Sequence, residues 1–278
     1  MKSELLWLKA LEVSKVAIDC GALQPLKTIE YKIKSRKYQY QLRLLKTKTP
    51  KLFLENGPRI NPFIPWEKTL EVKSLSDKHV VILNKYPVQL GHMLLITKQW
   101  KPQSGWLNKD DFQEIVNIEK DTNGLWFFNS SKEAGASQPH RHIQLLRRGD
   151  HEIVCPREEW FKSRANKNIY STSNMSKSIA ILTRESEGFD DLYKAYKSLC
   201  IKMKVGNIDS DKSPLNPYNL LITKDWIAII RRIKEKAYGF NINALGFAGY
   251  FLGKKNSNIK LLISEGPEKI LNDVVDPI

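Results

Sequence analysis

Gly135-Ala136-Ser137-Gln138-Pro139-His140-Arg141-His142-Ile143-Gln144-Leu145-Leu146 is the stretch on which the reading of this chain turns. The protein has five histidines; two stand here, two residues apart, and a glutamine follows at the same spacing. Side chains alternate between the two faces of a strand, so His140, His142 and Gln144 share one face while Arg141 and Ile143 share the other. The segment before them carries glycine and small polar residues, which lets backbone N–H groups approach an anion closely. An imidazole nucleophile beside an anion-cradling loop is what phosphoryl or nucleotidyl transfer needs.

Two plainer readings compete on spacing alone. His140 and His142 could be a buried, hydrogen-bonded pair in the core. His-x-His on a strand also chelates zinc, but no cysteine partners accompany it, and His79, His92 and His151 stand at no recognisable ligand spacing. His92 after Gly91 reads as a strand start, and His151 beside Asp150 as a surface turn. No metal ligand set is expected.

The chain has 278 residues, 41% hydrophobic composition and seven tryptophans, enough for a sizeable core. Its net charge of +15 points to a polyanionic partner: nucleic acid, an acidic membrane, or a phosphate-rich small molecule. Cys20, Cys155 and Cys200 are odd in number and widely spaced, so a disulfide framework is not expected. The N-terminal residues carry Lys2, Glu4, Lys9 and Glu12 with no long apolar run, and no segment has the length needed to span a bilayer. The expectation is a soluble, intracellular, cytoplasmic protein.

Moving outward from the histidines, residues 3–20 read as a helix on the near-helical spacing of Leu5, Leu6, Leu8, Leu11, Val13 and Val16, closed by Gly21. Residues 27–51 hold nine Lys or Arg against one Glu, with Tyr31, Ile33, Tyr38, Tyr40, Leu42 and Leu44 alternating in two runs as in a hairpin. Most of its lysines read as a solvated face. Strands are expected at 79–83, 92–96, 124–128, 138–146, 219–223, 226–230 and 259–263. Helices are expected at 110–120, capped by Asn108, at 189–203, and after Gly266-Pro267. Residues 171–187, rich in Ser, Asn and Thr, read as a linker.

One internal echo is present. Leu94-Leu95-Ile96-Thr97-Lys98-Gln99-Trp100 recurs, with one substitution, as Leu220-Leu221-Ile222-Thr223-Lys224-Asp225-Trp226. It suggests two related α+β halves, divided here into residues 1–168 and 169–278, with the histidines and hence a single catalytic centre in the first.

The His-x-His-x-Gln element resembles that of the histidine-triad superfamily, in its transferase branch. The surrounding sequence resembles ATP adenylyltransferases, also called diadenosine tetraphosphate phosphorylases. The likeness is carried by Asn61-Pro62-Phe63, Leu83-Asn84-Lys85-Tyr86-Pro87, Thr97-Lys98, Asn129-Ser130-Ser131, the Gly135–His140 stretch, Tyr218–Trp226 and Asn241–Gly249, in order. It implies an α+β fold: a histidine-triad-like antiparallel sheet with flanking helices. It implies a 1–168 catalytic domain and a 169–278 ATP adenylyltransferase domain. It also implies a two-step reaction through an adenylyl-histidine. His142 would attack the α-phosphate of the dinucleotide, ATP would leave, and phosphate would take the AMP to give ADP. Gln144 would hydrogen-bond the phosphoryl group, and His140 would orient the nucleophile. Asn84, Lys85, Asn129, Gly135, Ala136, Ser137 and Gln138 would contact nucleotide or phosphates, with Lys51, Asn241, Asn243 and Lys254 as further contacts. A divalent cation, magnesium, would accompany the nucleotide. Ser130-Ser131 departs from the pattern, where a glycine is expected. From sequence alone, Asn84-Lys85 also reads as a plain strand-end turn.

Two other functions fit parts of the sequence. A hexose-1-phosphate uridylyltransferase would share His-x-His-x-Gln, but the proline usual between its histidines is Arg141 here. A non-catalytic nucleic-acid-binding protein would explain the charge but not the joint occurrence of the histidines, Gln144 and the glycine loop. Gln144 itself carries chemical information. A neutral amide is neither a general acid nor a general base, which fits transfer to an already anionic acceptor such as phosphate.

Overall fold

Short apolar runs form an eight-stranded antiparallel sheet in this computed structural model, which describes residues 2–35, 38–46, 61–149, 152–165 and 174–277. The strands are β3 (Glu71–Ser74), β4 (His79–Leu83), β5 (Met93–Thr97), β6 (Leu125–Asn129), β7 (His142–Leu146), β8 (Ile179–Thr183), β9 (Tyr218–Ile222) and β10 (Trp226–Arg231). They lie in the order β3-β4-β5-β7-β6-β9-β10-β8. β4, β5, β6 and β9 are buried along their whole length, which is why they read as unbroken apolar runs and not as alternating ones.

The sheet is built twice. β5, α2 (Lys109–Glu119), β6 and β7 follow one another in the chain and lie in the order β5-β7-β6. β8, α5 (Phe189–Lys202), β9 and β10 repeat that path in the order β8-β10-β9. The two units meet antiparallel at β6 and β9, with Phe127 opposite Leu221. A repeated strand–helix–strand–strand path is therefore visible in the topology, but the sequence echo is not its register. It lays β5 on β9, whereas the topology makes β9 the counterpart of β6. β10, the counterpart of the histidine strand, contains no histidine.

One face of the sheet packs against α1 (Leu5–Asp19), α2 and α5 through a large core that includes Phe112, Trp126, Phe128, Ile143, Leu145 and Tyr196. Asn108 caps α2 in a reciprocal capping box with Asp111. α1 is a helix as its spacing predicts, but it buries Leu6, Ala10, Ser14 and Ala17 and leaves Leu5, Leu8 and Val16 exposed. The small residues let the helix lie close to the sheet, and Trp7 packs where a side chain at Gly91 would stand.

The other face carries two separate clusters. Under β4 and β5, Phe63, Val80, Ile82, Leu94 and Ile96 pack together. Under β6, β9 and β10, Phe127, Leu221, Ala228 and Ile230 pack against the C-terminal elements: α3 (Glu158–Lys162), α6 (Ala244–Ala248), α8 (Pro267–Asn272) and a second sheet. That sheet is the basic hairpin, β1 (Thr28–Ser35) and β2 (Tyr38–Leu45), joined in parallel by β13 (Tyr250–Gly253), which follows a short antiparallel pair, β11 (Lys236–Ala237) and β12 (Phe240–Asn241). Each half thus supplies strands to a sheet of the other.

Two expectations are corrected. The stretch 171–187 holds a short helix, α4 (Asn174–Lys177), and an edge strand, because Ile179-Ala180-Ile181-Leu182 is long enough to pair with Ile227–Ile230 of β10. The run 259–263 is helical, not extended: α7 (Ile259–Ser264) is capped by the Asn258 side chain, buries only Leu262 and leaves Ile263 exposed. Five residues with one buried position suit a helix face better than a strand, and periodicity in so short a run cannot separate the two.

Candidate active site

β7 turns Ile143 and Leu145 toward the helices and His142 and Gln144 to the other face. There Gln144 lies opposite Leu94 on one side and Phe127 on the other. The two residues therefore occupy the seam between the two smaller clusters. Regular pairing begins only at His142; His140 is held by a single bridge to Pro102. The expected strand 138–146 is thus a loop followed by a five-residue strand, with both histidines and Gln144 still on one side.

Each histidine of the site is neutral and has a fixed tautomer. The His142 Nδ1–H donates to the His140 carbonyl at 2.8 Å, which leaves the Nε2 lone pair free. Burial pulls the His142 pKa down to about 4, with the His140 ring adding to the effect and the carbonyl bond opposing it. The Asn61 side chain accepts from Phe63 N, so its amide nitrogen is the donor to His140 Nδ1 at 3.0 Å. The His140 Nε2–H then donates to the Thr97 carbonyl at 2.8 Å. Burial lowers the His140 pKa as well. Phe63 stands against both rings, and Trp100, 52% exposed, meets His140 edge-on at 5.4 Å.

Arg141 points to the helix face. Its Nη1 donates to Asp111 Oδ2 at 3.1 Å, and Asp111 Oδ1 lies 2.9 Å from His79 Nε2, with Asp111 and His79 almost fully buried. This pair anchors the peptide between His140 and His142 from behind. Gln103, which carries no signal in the sequence, holds it from the side. Its Oε1 accepts from His142 N at 2.8 Å, and its Nε2 donates to the Asn129 carbonyl at 2.7 Å and the His142 carbonyl at 3.2 Å. A side-chain amide thus replaces a strand's peptide group where β6 and β7 part.

Asn129 is buried, and its Oδ1 accepts from Asn219 Nδ2 and Ala244 N. Asn219 in turn holds the Ala134 carbonyl and accepts from Arg232. Arg232 donates further to the carbonyls of Ala134, Lys234, Ile242 and Val274. Burial lowers its pKa to about 9, so it stays a cation at neutral pH. This network fixes the loop before the histidines to the C-terminal half. Gly135 has φ +89°, and a side chain there would stand 2.7 Å from the Ile242 carbonyl. Gly135 N and Ala136 N donate inward to the Lys132 and Ser131 carbonyls. Among the described residues no acceptor is found for Ser137 N or Gln138 N, unlike the two N–H groups before them. Ser130, where a glycine is expected, ties β6 to β9, because its Oγ accepts from Tyr218 N at 2.8 Å.

The remaining expected residues are distributed unevenly. Asn84 donates from its amide to His92 Nδ1 at 3.2 Å, and Lys85 is ion-paired with Glu67 at 2.8 Å. Asn243 caps α6 and packs on Gly135, whereas the Asn241 amide donates to Glu235. Lys254 follows β13 in the second sheet, and among the described residues no hydrogen bond joins it to the histidine strand. Lys51 lies outside the described residues. His92, read from sequence as a strand start, is buried at the site instead, with its ring 5.6 Å from that of Phe127. Among the described residues no group of three His, Cys, Asp or Glu side chains is placed to hold a metal ion.

The sequence matches the Ap4A phosphorylase N-terminal domain over residues 1–156. The chain belongs to the Ap4A phosphorylase family. Residues 153–277 match the ATP adenylyltransferase C-terminal domain. Protein APA1 of Saccharomyces cerevisiae is 28% identical over 218 residues, covering 70% of this chain and 67% of that protein. Diadenosine 5',5'''-P1,P4-tetraphosphate phosphorylase 2 of the same yeast is 26% identical over 214 residues, covering 68% of this chain and 66% of that protein. The fold is that of yeast Ap4A phosphorylase Apa2 in complex with Ap4A, with a TM-score of 0.77 at 24% identity, covering 100% of this chain and 99% of that one.

The depressed pKa of His142 gives a pH prediction. A nucleophilic role for His142 would need the neutral ring, and with a pKa of about 4 the ring stays neutral across the physiological range. The single-turnover rate of the first chemical step is expected to fall only below about pH 5, with no inflection near 6.5, the value of a free imidazole. Rapid-quench measurement without phosphate checks this; an inflection near 6.5 would mean that His142 titrates as an exposed residue. The same shift makes the fold less stable toward acid, because between about pH 6.5 and 4 the unfolded chain binds protons that buried His92 and His142 refuse.

Proposed function

We propose that this family member is a nucleotidyltransferase that cleaves diadenosine tetraphosphate with phosphate to ATP and ADP, reversibly, through an adenylyl group on His142. The observation that carries the reading is the state of His142: neutral, buried, with Nδ1–H held by the His140 carbonyl and Nε2 free in the seam. In the first step Nε2 forms a bond to the α-phosphorus, the P–O bond to the leaving ATP breaks, and the imidazole keeps its proton on Nδ1, donated in a hydrogen bond to the His140 carbonyl. In the second step an oxygen of phosphate attacks the same phosphorus, the N–P bond breaks, and ADP leaves with His142 neutral again. Splitting the transfer lets one site serve both halves. Negative charge on the non-bridging oxygens is met by Gln144 and by the N–H groups of Ser137 and Gln138.

Magnesium enters with the polyphosphate as part of the substrate, held by phosphate oxygens. Asn84 and Lys85 lie together just after β4, and Lys85 must exchange Glu67 for phosphate to serve the dinucleotide. Part of the +15 charge then steers a polyanionic nucleotide. Arg141, which departs from the proline of uridylyltransferases, is anchored on Asp111 and makes that alternative the weaker one. Cys20, Cys155 and Cys200 are free thiols, in keeping with a reducing cytoplasm, and among the described residues no helix is long and apolar enough to cross a membrane.

Product analysis with diadenosine tetraphosphate tests the reaction. ATP plus ADP is expected, with a rate that depends on phosphate. ATP plus AMP formed equally fast without phosphate would make the protein a hydrolase and overturn the reading.

A further inference from the structure

His92 is buried, and two of its neighbours determine where its proton sits. The Asn84 Oδ1 accepts from Tyr86 N at 3.1 Å, so the Asn84 amide nitrogen must be the group facing His92 Nδ1 at 3.2 Å. His92 Nδ1 is therefore an acceptor. Burial keeps the ring neutral, so its one proton is on Nε2. Nε2 is fully enclosed, and among the described residues no hydrogen bond of ordinary length reaches it; the polar group alongside is the Gln144 side chain. A buried N–H needs an acceptor. Of the two ends of the Gln144 amide only Oε1 can accept.

We infer that Asn84 and His92 form a positioning relay that sets the polarity of the Gln144 amide, turning its NH2 group toward the transferred phosphoryl oxygens. The same logic repeats one strand away, where Asn61 accepts from Phe63 N and donates to His140 Nδ1. At each site an asparagine bonded to the backbone two residues on fixes a histidine tautomer. An unconstrained Gln144 would present its carbonyl oxygen to an anion in part of the population, and that part would repel the transition state. The role makes His92 a positioning residue, since it acts on the phosphoryl group only through Gln144.

The inference rests on the reading of Gln144 as a phosphoryl donor, but its first test needs no substrate. In protein labelled with 15N-histidine, NMR should show His92 protonated on Nε2 and His142 protonated on Nδ1, opposite tautomers in one site. His92 protonated on Nδ1 would overturn the relay whatever the protein catalyses. The second test is kinetic. His92→Phe should lower the rate of adenylyl transfer roughly tenfold to a hundredfold at unchanged KM, the cost of losing one oriented buried donor. His92→Gln, which keeps a donor nitrogen, should recover part of it. In a Gln144→Ala background His92→Phe should have no further effect. A full additional loss there would show that His92 acts on packing and not through Gln144.

Discussion

Replacing His142 with alanine is expected to lower the turnover of diadenosine tetraphosphate by about 10⁴-fold or more, as removal of a covalent nucleophile does elsewhere. His142 is the one histidine of the site whose Nε2 is left free, since His140 Nε2 is committed to Thr97 and His92 Nε2 faces Gln144. Neither neighbour has a lone pair available without first breaking its own bond. The fold should survive the change, because His142→Ala keeps the backbone N–H and carbonyl that Gln103 binds. Circular dichroism and the melting temperature separate a lost nucleophile from a lost fold. Activity within tenfold of the parent, in a folded variant, would remove His142 from this role.

The second large effect is expected at Gln144. Gln144→Ala should lower both half-reactions by about 10²–10³-fold, the measured range for one lost oxyanion donor. Gln144→Glu is the more informative change. It keeps size and position but brings a carboxylate against phosphate oxygens, so it should be no better than alanine. If bulk were what mattered, glutamate would be close to wild type. Rapid-quench rates for adenylyl transfer from dinucleotide and for discharge by phosphate, measured separately, read the effect on each step.

Much of this site is legible in the sequence, and the reasons are local. Alternation along a strand places His142 and Gln144 on one face, and the glycine before them marks the loop, where Gly135 adopts a positive φ. Asn108 announces α2 because a cap acts within one turn. What escapes the sequence is set by distant contacts. Gln103 looks like any loop glutamine, since its three partners lie 26 and 39 residues away. His92 is indistinguishable from a strand residue until the sheet sets it beside Gln144. The lysines mislead in the opposite direction, because Lys85 has an acidic partner that charge counting cannot see. Likewise α1 has two candidate stripes, and close packing favours the one with small residues over the one with leucines.

The most direct test is the mass of the intact protein after mixing with diadenosine tetraphosphate in the absence of phosphate, kept away from acid to preserve a phosphoramidate. The account predicts one added AMP on the wild-type chain, no adduct on His142→Ala, and loss of the adduct with release of ADP when phosphate is added. A full adduct on His142→Ala, or turnover with no adduct at all, would contradict it.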